Sequence, residues 1–338
     1  MDKNELNSVL NHPFIDVEEL RRQWGVSDPW HSTGKFEPLQ VFAGKFLYRN
    51  TLYNESRLYG FKLHHHQIDG FKLHWLSNKK KMKSKGSILL IHGLSADKSH
   101  WVRFARYLAK DYHVIIPDLP AHGQTGYLLD ADYSVERQAQ RMIDLLDYLG
   151  IDQVNLLGNS MGGFISICMA HKWANRIASL GLLNSAGLKP RTHSELEAAF
   201  HGGKNPFIIK SVSDFNNLLS LATSKQQWMP YSVRLMLAKQ LADRRERLFR
   251  LSLQVMQEIS EFNCIEKSKD AFKMPTLVIW GEEDKLLDVD MLDHFIELIP
   301  HAHFVKLPNI GHMPMLECPK IAAQHYKKFT DTLFATKS

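Results

Sequence analysis

The chain has 338 residues, and its 42 Lys plus Arg against 36 Asp plus Glu leave a net charge of +6 with histidine neutral. With 44% apolar and 23% charged residues, it has an ordinary globular composition that excludes wholesale disorder. Cys168, Cys264 and Cys318 are too few and too scattered to form a disulfide framework or a zinc cluster.

The first residues, Met1 to Glu5, are polar and acidic with no apolar run behind them, which argues against a secretory leader. No window approaches the ~18 apolar residues of a spanning helix. A cytoplasmic location is the expectation, with any membrane contact peripheral. Residues 1–59 form an extension with Pro13, Pro29 and Pro38 and no sustained period. From Phe36 it gathers aromatics: Phe42, Phe46, Tyr48, Tyr53 and Tyr59. Two readings stand for it, packing along the main domain or lying as an amphipathic segment on a membrane.

Gly60–Ile68 and Phe71–Leu76 are strand-like runs around Asp69-Gly70, a hairpin signal. The lysine-rich run 79–85 reads as a solvated connection. Short β-rich runs then recur at Ser87–Ile91, His113–Pro117, Val154–Leu157, Ser179–Leu183, Thr276–Trp280 and His303–Leu307. Helical stretches lie between most of them: Tyr133–Leu149 with Ser134 as N-cap, Asp288–Leu298, and Lys320–Phe334 opened by Pro319. Nearly all-apolar strands alternating with helices predict a parallel sheet covered on both faces. The alternation breaks between Leu188 and Phe272, where helices such as Asp214–Ala222 and Val233–Ile259 are expected. Such an insertion is most simply a cap over the sheet's carboxyl edge, where open α/β sheets bind ligands. The expected division is an extension over 1–59, a core over 60–187 and 273–338, and a helical cap over 188–272.

Chemistry concentrates at the strand ends. Gly158-Asn159-Ser160-Met161-Gly162 is G-x-S-x-G between an apolar strand and a small, apolar helix, the context that makes Ser160 a nucleophile. The serine must take strained dihedrals, and Gly158 and Gly162 remove side chains that would collide across the turn. His312 lies just past the last strand and is the expected base. Asp284 ends the preceding strand in Trp280-Gly281-Glu282-Glu283-Asp284 and is the expected orienting carboxylate, with Glu283 its main rival. Backbone N–H groups of Met161 and of Leu94, in the loop after Ile91, are the expected oxyanion donors. His92 and Asp118 are read as structural, the latter organising its loop.

These stretches carry a resemblance. His92–Trp101 (HGLSADKSHW), Asp118–Gly123 (DLPAHG), Gly158–Gly163 (GNSMGG), Asn184–Leu188 (NSAGL), Ile279–Asp284 (IWGEED), Asp288-Val289 and Gly311-His312 make residues 60–335 resemble the α/β-hydrolase superfamily, and within it the monoacylglycerol lipase branch. The resemblance implies a mostly parallel eight-stranded sheet, and a cofactor-free serine hydrolase of monoacylglycerols or similar lipid esters. It departs from the branch in having no spanning helix before the hairpin. GNSMGG also occurs in hydrolases that cleave carbon–carbon bonds of ring-cleavage products; that reading ranks second, beside a short-chain carboxylesterase.

The cap carries many apolar residues, among them Phe207, Phe215, Leu218, Trp228, Tyr231 and Met236, which as a set suit an acyl chain. His64-His65-His66 offers at most two ligands on one strand face, too few for a metal site. No aromatic–basic interleaving suggests a nucleic-acid partner. The expected partner is therefore a small lipid ester, with membrane contact, if any, through the N-terminal segment or the cap; the oligomeric state is not legible.

Overall fold

Alternate side chains of short apolar strands feed two hydrophobic layers, and this alternation organises the chain. A computed structural model describes residues 17–79, 84–189, 194–225, 228–261 and 272–335. Strands β1 (Phe61–Ile68), β2 (Phe71–Asn78), β3 (Ser87–Ile91), β4 (His113–Pro117), β5 (Val154–Ser160), β6 (Ile177–Ser185), β7 (Thr276–Gly281) and β8 (His303–Leu307) form one sheet in the order β1-β2-β4-β3-β5-β6-β7-β8. β1 and β2 are antiparallel, as are β2 and β4; β3 to β8 pair in parallel. The hairpin turns at Asp69-Gly70, both at positive φ (49° and 79°), and the Asp69 carboxylate is held by Arg137 and by Arg141 at 2.7 Å.

In β3, Leu89 and Ile91 face one layer, covered by the helices Val135–Tyr148, Met161–Lys172 and Met291–Leu298. Ile88 and Leu90 face the other, covered by Trp101, Phe104 and the helix Pro319–Ala335. Each fully buried Leu or Ile contributes about 1.5–3 kcal/mol, so this double cover fixes which strand ends stand level. Ser134 caps its helix as expected, accepting from Arg137 N–H at 3.2 Å.

Four helices intervene between β6 and β7: Glu195–His201, Val212–Ala222, Tyr231–Ala242 and Arg245–Glu261. The expected helix Val233–Ile259 is two, broken at Asp243-Arg244, where the Arg244 guanidinium donates to the Gly123 carbonyl at 3.0 Å. Reaching that core loop fixes the turn; no proline or glycine marks it. The predicted helix Asp288–Leu298 starts later, at Met291.

The extension departs most from expectation. It contains the helices Val17–Gln23 and Glu37–Leu58, and their partners are mainly in the inserted helices rather than the sheet layers. Trp24 stacks against Phe200 and Phe249 at 5.6 and 5.7 Å. Gly44 sits so close to the Tyr231–Ala242 helix that a Cβ there would lie 2.0 Å from the Ser232 carbonyl oxygen. Contacts to the sheet layers are polar, such as Arg103 to Glu55 at 2.9 Å. Lys80, Lys81 and Lys83 of the lysine run, Cys264 and residues 1–16 lie outside the described residues; Cys168 and Cys318 are free thiols.

Candidate active site

Ser160 is the last residue of β5 and stands immediately before the helix Met161–Lys172, at φ 56° and ψ −125°. A side chain at positive φ is strained, and the surroundings enforce it. A Cβ on Gly158 would lie 2.1 Å from the Gly162 carbonyl oxygen, and one on Gly162 would lie 2.3 Å from that of Ile91. The elbow is therefore wedged between its own helix and β3, as its two glycines predict. Ser160 remains half-buried, and its side chain makes no capping bond to the helix. The N–H groups of the first turn, Met161's among them, thus face the positive end of the helix dipole.

The loop after β3 presses against the serine. A Cβ on Gly93 would meet Ser160 Cβ at 2.9 Å and Oγ at 3.4 Å. Leu94 follows, half-buried, packed with Leu251 of the Arg245–Glu261 helix. His92, wholly buried, accepts at Nε2 from Leu119 N–H (3.1 Å) and donates from Nδ1 to the Gly93 carbonyl (2.8 Å). Both ring nitrogens are used, and burial pushes it down to about 4, so it braces the loop as a neutral ring. Asp118 accepts from Lys98 N–H (2.9 Å), Gln124 N–H (2.8 Å) and the Lys98 ammonium, with burial raising its carboxyl. It ties two loops together, as expected of a structural residue.

Asp284 and His312, both buried, meet: His312 Nδ1 donates to Asp284 Oδ2 at 2.7 Å. Glu282 and Glu283 are exposed instead. Asp284 Oδ1 accepts from the N–H groups of Leu286 (2.9 Å) and Leu287 (3.0 Å). The fourth donor to this carboxylate is Asn184 Nδ2, at 2.7 Å from Oδ2.

Asn184 was legible only as part of a motif, and it has three further bonds to account for. It sits at the end of β6 at φ 43°, fully buried, accepts from Gly281 N–H (3.2 Å) and reaches the Gly311 carbonyl (3.4 Å). Asn159, beside Ser160, donates from one Nδ2 to the carbonyls of Leu183 and His312, both at 3.0 Å. Glu317 accepts from the N–H groups of Gly311 (3.1 Å), Met313 (3.2 Å) and Ser224 (2.8 Å). His312 N–H donates to Ala222 O, the end of the Val212–Ala222 helix, at 3.2 Å. The histidine loop is thus bound to β5, β6 and the inserted helices at once. None of these partners had a spacing signal in the sequence; a buried Asn at a strand end is the one available clue.

Other sequence candidates go elsewhere. His64 stacks on Trp75 (5.7 Å between ring centres) and His66 on Tyr148 (3.7 Å). Of the apolar residues in the inserted helices, Ile209, Phe215 and Leu218 pack on one another. Leu196 and Leu221 instead lie half-buried against the layer that contains Leu183 and Met313.

Residues 86–319 match the family model described as alpha/beta hydrolase fold. Lipase 1 of Psychrobacter immobilis is 34% identical over 254 residues, 74% of this chain and 78% of that protein. Monoacylglycerol lipase ABHD6 of Bos taurus is 28% identical over 262 residues, covering 75% of this chain and 77% of its own. Among solved structures, a membrane phospholipase A described as a bacterial virulence factor superposes with a TM-score of 0.80 at 31% identity, over 86% of this chain and 92% of that one.

Proposed function

The chain belongs to the α/β-hydrolase fold family, and from that premise we propose that it is a serine hydrolase of lipid carboxylic esters, with monoacylglycerols the first substrates to test. The observation that carries the reading is the buried His312–Asp284 bond of 2.7 Å in a chain whose Ser160 stands on a strained elbow. A relative at 34% identity named as a lipase supports the ester class.

The steps follow from the donors and acceptors. Because His312 donates from Nδ1 to Asp284, its Nε2 is the nitrogen with a free lone pair. Nε2 accepts the Ser160 hydroxyl proton as Oγ bonds to the ester carbonyl carbon. The resulting oxyanion is held by the N–H groups of Met161 and Leu94, each worth about 3 kcal/mol at the transition state. His312 returns the proton to the departing alcohol as the C–O bond breaks, leaving an acyl-Ser160. Water, deprotonated by the same nitrogen, then releases the fatty acid. Asp284 keeps the imidazole in the required tautomer and offsets its positive charge. Half-buried Leu94, Leu196 and Leu221 support an apolar acyl partner, and residues 188–272 are read as the cap over the site.

The test is hydrolysis of 1-monoacylglycerols from short to long acyl chain, with Ser160→Ala as control. Release that peaks at medium or long chains and falls by about 10⁴-fold or more in the variant is expected. A protein that still reacts with a fluorophosphonate at Ser160 but releases nothing across the series refutes the lipid-ester assignment. It would shift weight to vinylogous diketones as substrates. An unlabelled serine refutes the catalytic assignment itself.

A further inference from the structure

We propose that the outward face of the Glu37–Leu58 helix is a docking surface for an anionic lipid interface. Leu39, Phe42, Phe46 and Tyr53 recur at i, i+3, i+7 and i+14 on one side of this helix, and all are exposed, by 66%, 68%, 63% and 54%. Phe36, just ahead of the helix, is 74% exposed. A continuous aromatic stripe left in water is unusual for a surface with no partner.

The helix does not present this face by default. Its other side is fixed in two ways. Gly44 allows backbone contact with the Tyr231–Ala242 helix. The buried Glu37 carboxylate collects Trp30 Nε1 (2.9 Å), Ser32 Oγ (2.9 Å) and Thr33 N–H (2.7 Å) at the helix start. The aromatic stripe is therefore held outward by the packing of its opposite side.

Charge selects the occupant. Lys45, Arg49 and Arg57 are the exposed ionic side chains of the helix, and Lys35 precedes it; its acids are the buried Glu37 and the half-buried Glu55, which pairs with Arg103. Aromatic rings flanked by cations suit the headgroup region of an anionic bilayer. A second copy seated on the same face would set like charges against each other. The helix is not long and apolar enough to cross a bilayer, so it would lie along the surface. Trp228 and Tyr231, exposed by 88% and 49%, lead into the helix on which it packs and would meet the same interface. Docking does not depend on the lipid-ester reading; its use for catalysis does.

The test is co-sedimentation of the full chain with vesicles of phosphatidylcholine containing phosphatidylglycerol, and with phosphatidylcholine alone. Turnover of a short-chain 4-nitrophenyl ester is followed in parallel. Binding to the mixed vesicles is expected, with the partition coefficient lowered about tenfold or more by Phe42→Ser/Phe46→Ser and comparably by Lys45→Glu/Arg49→Glu. Turnover of the soluble ester should stay unchanged, because neither pair touches the site. The charge variant preserves the test if the aromatic one fails to fold. Wild-type protein left in the supernatant, or variants that bind as the wild type does, would overturn the proposal. So would a wild-type dimer that Phe42→Ser dissolves without any vesicle binding. Loss of soluble-ester turnover in wild type with vesicle binding intact would count against the hydrolase reading alone.

Discussion

Asn184 offers the sharpest test of how the acid–base pair is held. Its Nδ2 lies 2.7 Å from Asp284 Oδ2, its Oδ1 accepts from the buried Gly281 N–H at 3.2 Å, and its backbone sits at φ 43°. Replacing it with alanine removes a charge-assisted hydrogen bond, about 1.5–3 kcal/mol, and strands the Gly281 amide, about 1–3 kcal/mol. It also places a Cβ in left-handed backbone without the amide's local support, roughly 1 kcal/mol more. Asn184→Ala should therefore lose on the order of 4 kcal/mol of folding stability, and Asn184→Gly about 1 kcal/mol less. Asp284 keeps the Leu286 and Leu287 amides on Oδ1, but Oδ2 keeps His312 as its one remaining donor of the two. If half the lost bond acts at the transition state, about 1–1.5 kcal/mol, kcat falls roughly tenfold. KM for a soluble ester should move less than about twofold, because Asn184 is buried behind the acid. Urea titration and steady-state kinetics of both variants read the two effects separately. Wild-type kcat in Asn184→Gly would refute the reasoning, since the backbone amides alone would then suffice to hold the carboxylate.

Gly93→Ala should cut kcat steeply with little change in unfolding midpoint, because its Cβ would meet Ser160 Cβ at 2.9 Å; an unaffected rate would mean the loop yields freely. Lys98→Met should cost about 3–5 kcal/mol, because it leaves the fully buried Asp118 without its ammonium; a melting temperature within about 2 °C of wild type would contradict that. Burial holds His92 down to about 4 and His122 to about 3. The unfolded chain thus takes up these protons first as pH falls below about 6.5. Each ring should cost about 2 kcal/mol of stability at pH 5 relative to pH 7.5. His100, raised by its bond to Asp97 despite burial, works in the opposite sense. A denaturation midpoint that does not fall from pH 7.5 to 5, or that falls equally in His122→Gln, would count against the two neutral rings.

What the sequence disclosed and what it withheld follow from the range of the forces involved. The elbow, the strands and the Asp69-Gly70 hairpin are local: a glycine that must lose its Cβ or a run that must bury both faces is visible in a few residues. Asn184, Asn159 and Glu317 act across gaps of 100, 153 and 93 residues, and nothing near them in the chain marks the partner. The Glu37–Leu58 helix escaped for a different reason. Its buried positions are Glu37, Gly44 and Ser56 while its aromatics point to water, so the usual inward apolar period is inverted. The break at Asp243-Arg244 was hidden because an arginine reaching for a carbonyl, not a helix breaker, sets the turn. Asp284 was separable from Glu283 only through exposure, which a row of three adjacent carboxylates does not reveal.

The bond from His312 N–H to Ala222 O, with Ser224 N–H on Glu317, couples two events that are usually thought of separately. The end of the Val212–Ala222 helix and the imidazole share a backbone anchor, so this edge of the inserted helices cannot swing away as a free door. A rigid displacement there would drag the base out of line with the serine. Admission of a bulky ester and readiness to take its proton therefore lie on one mechanical coordinate. Loosening Thr223–Ser224 should alter the rate of the first acyl transfer as well as the ease of entry.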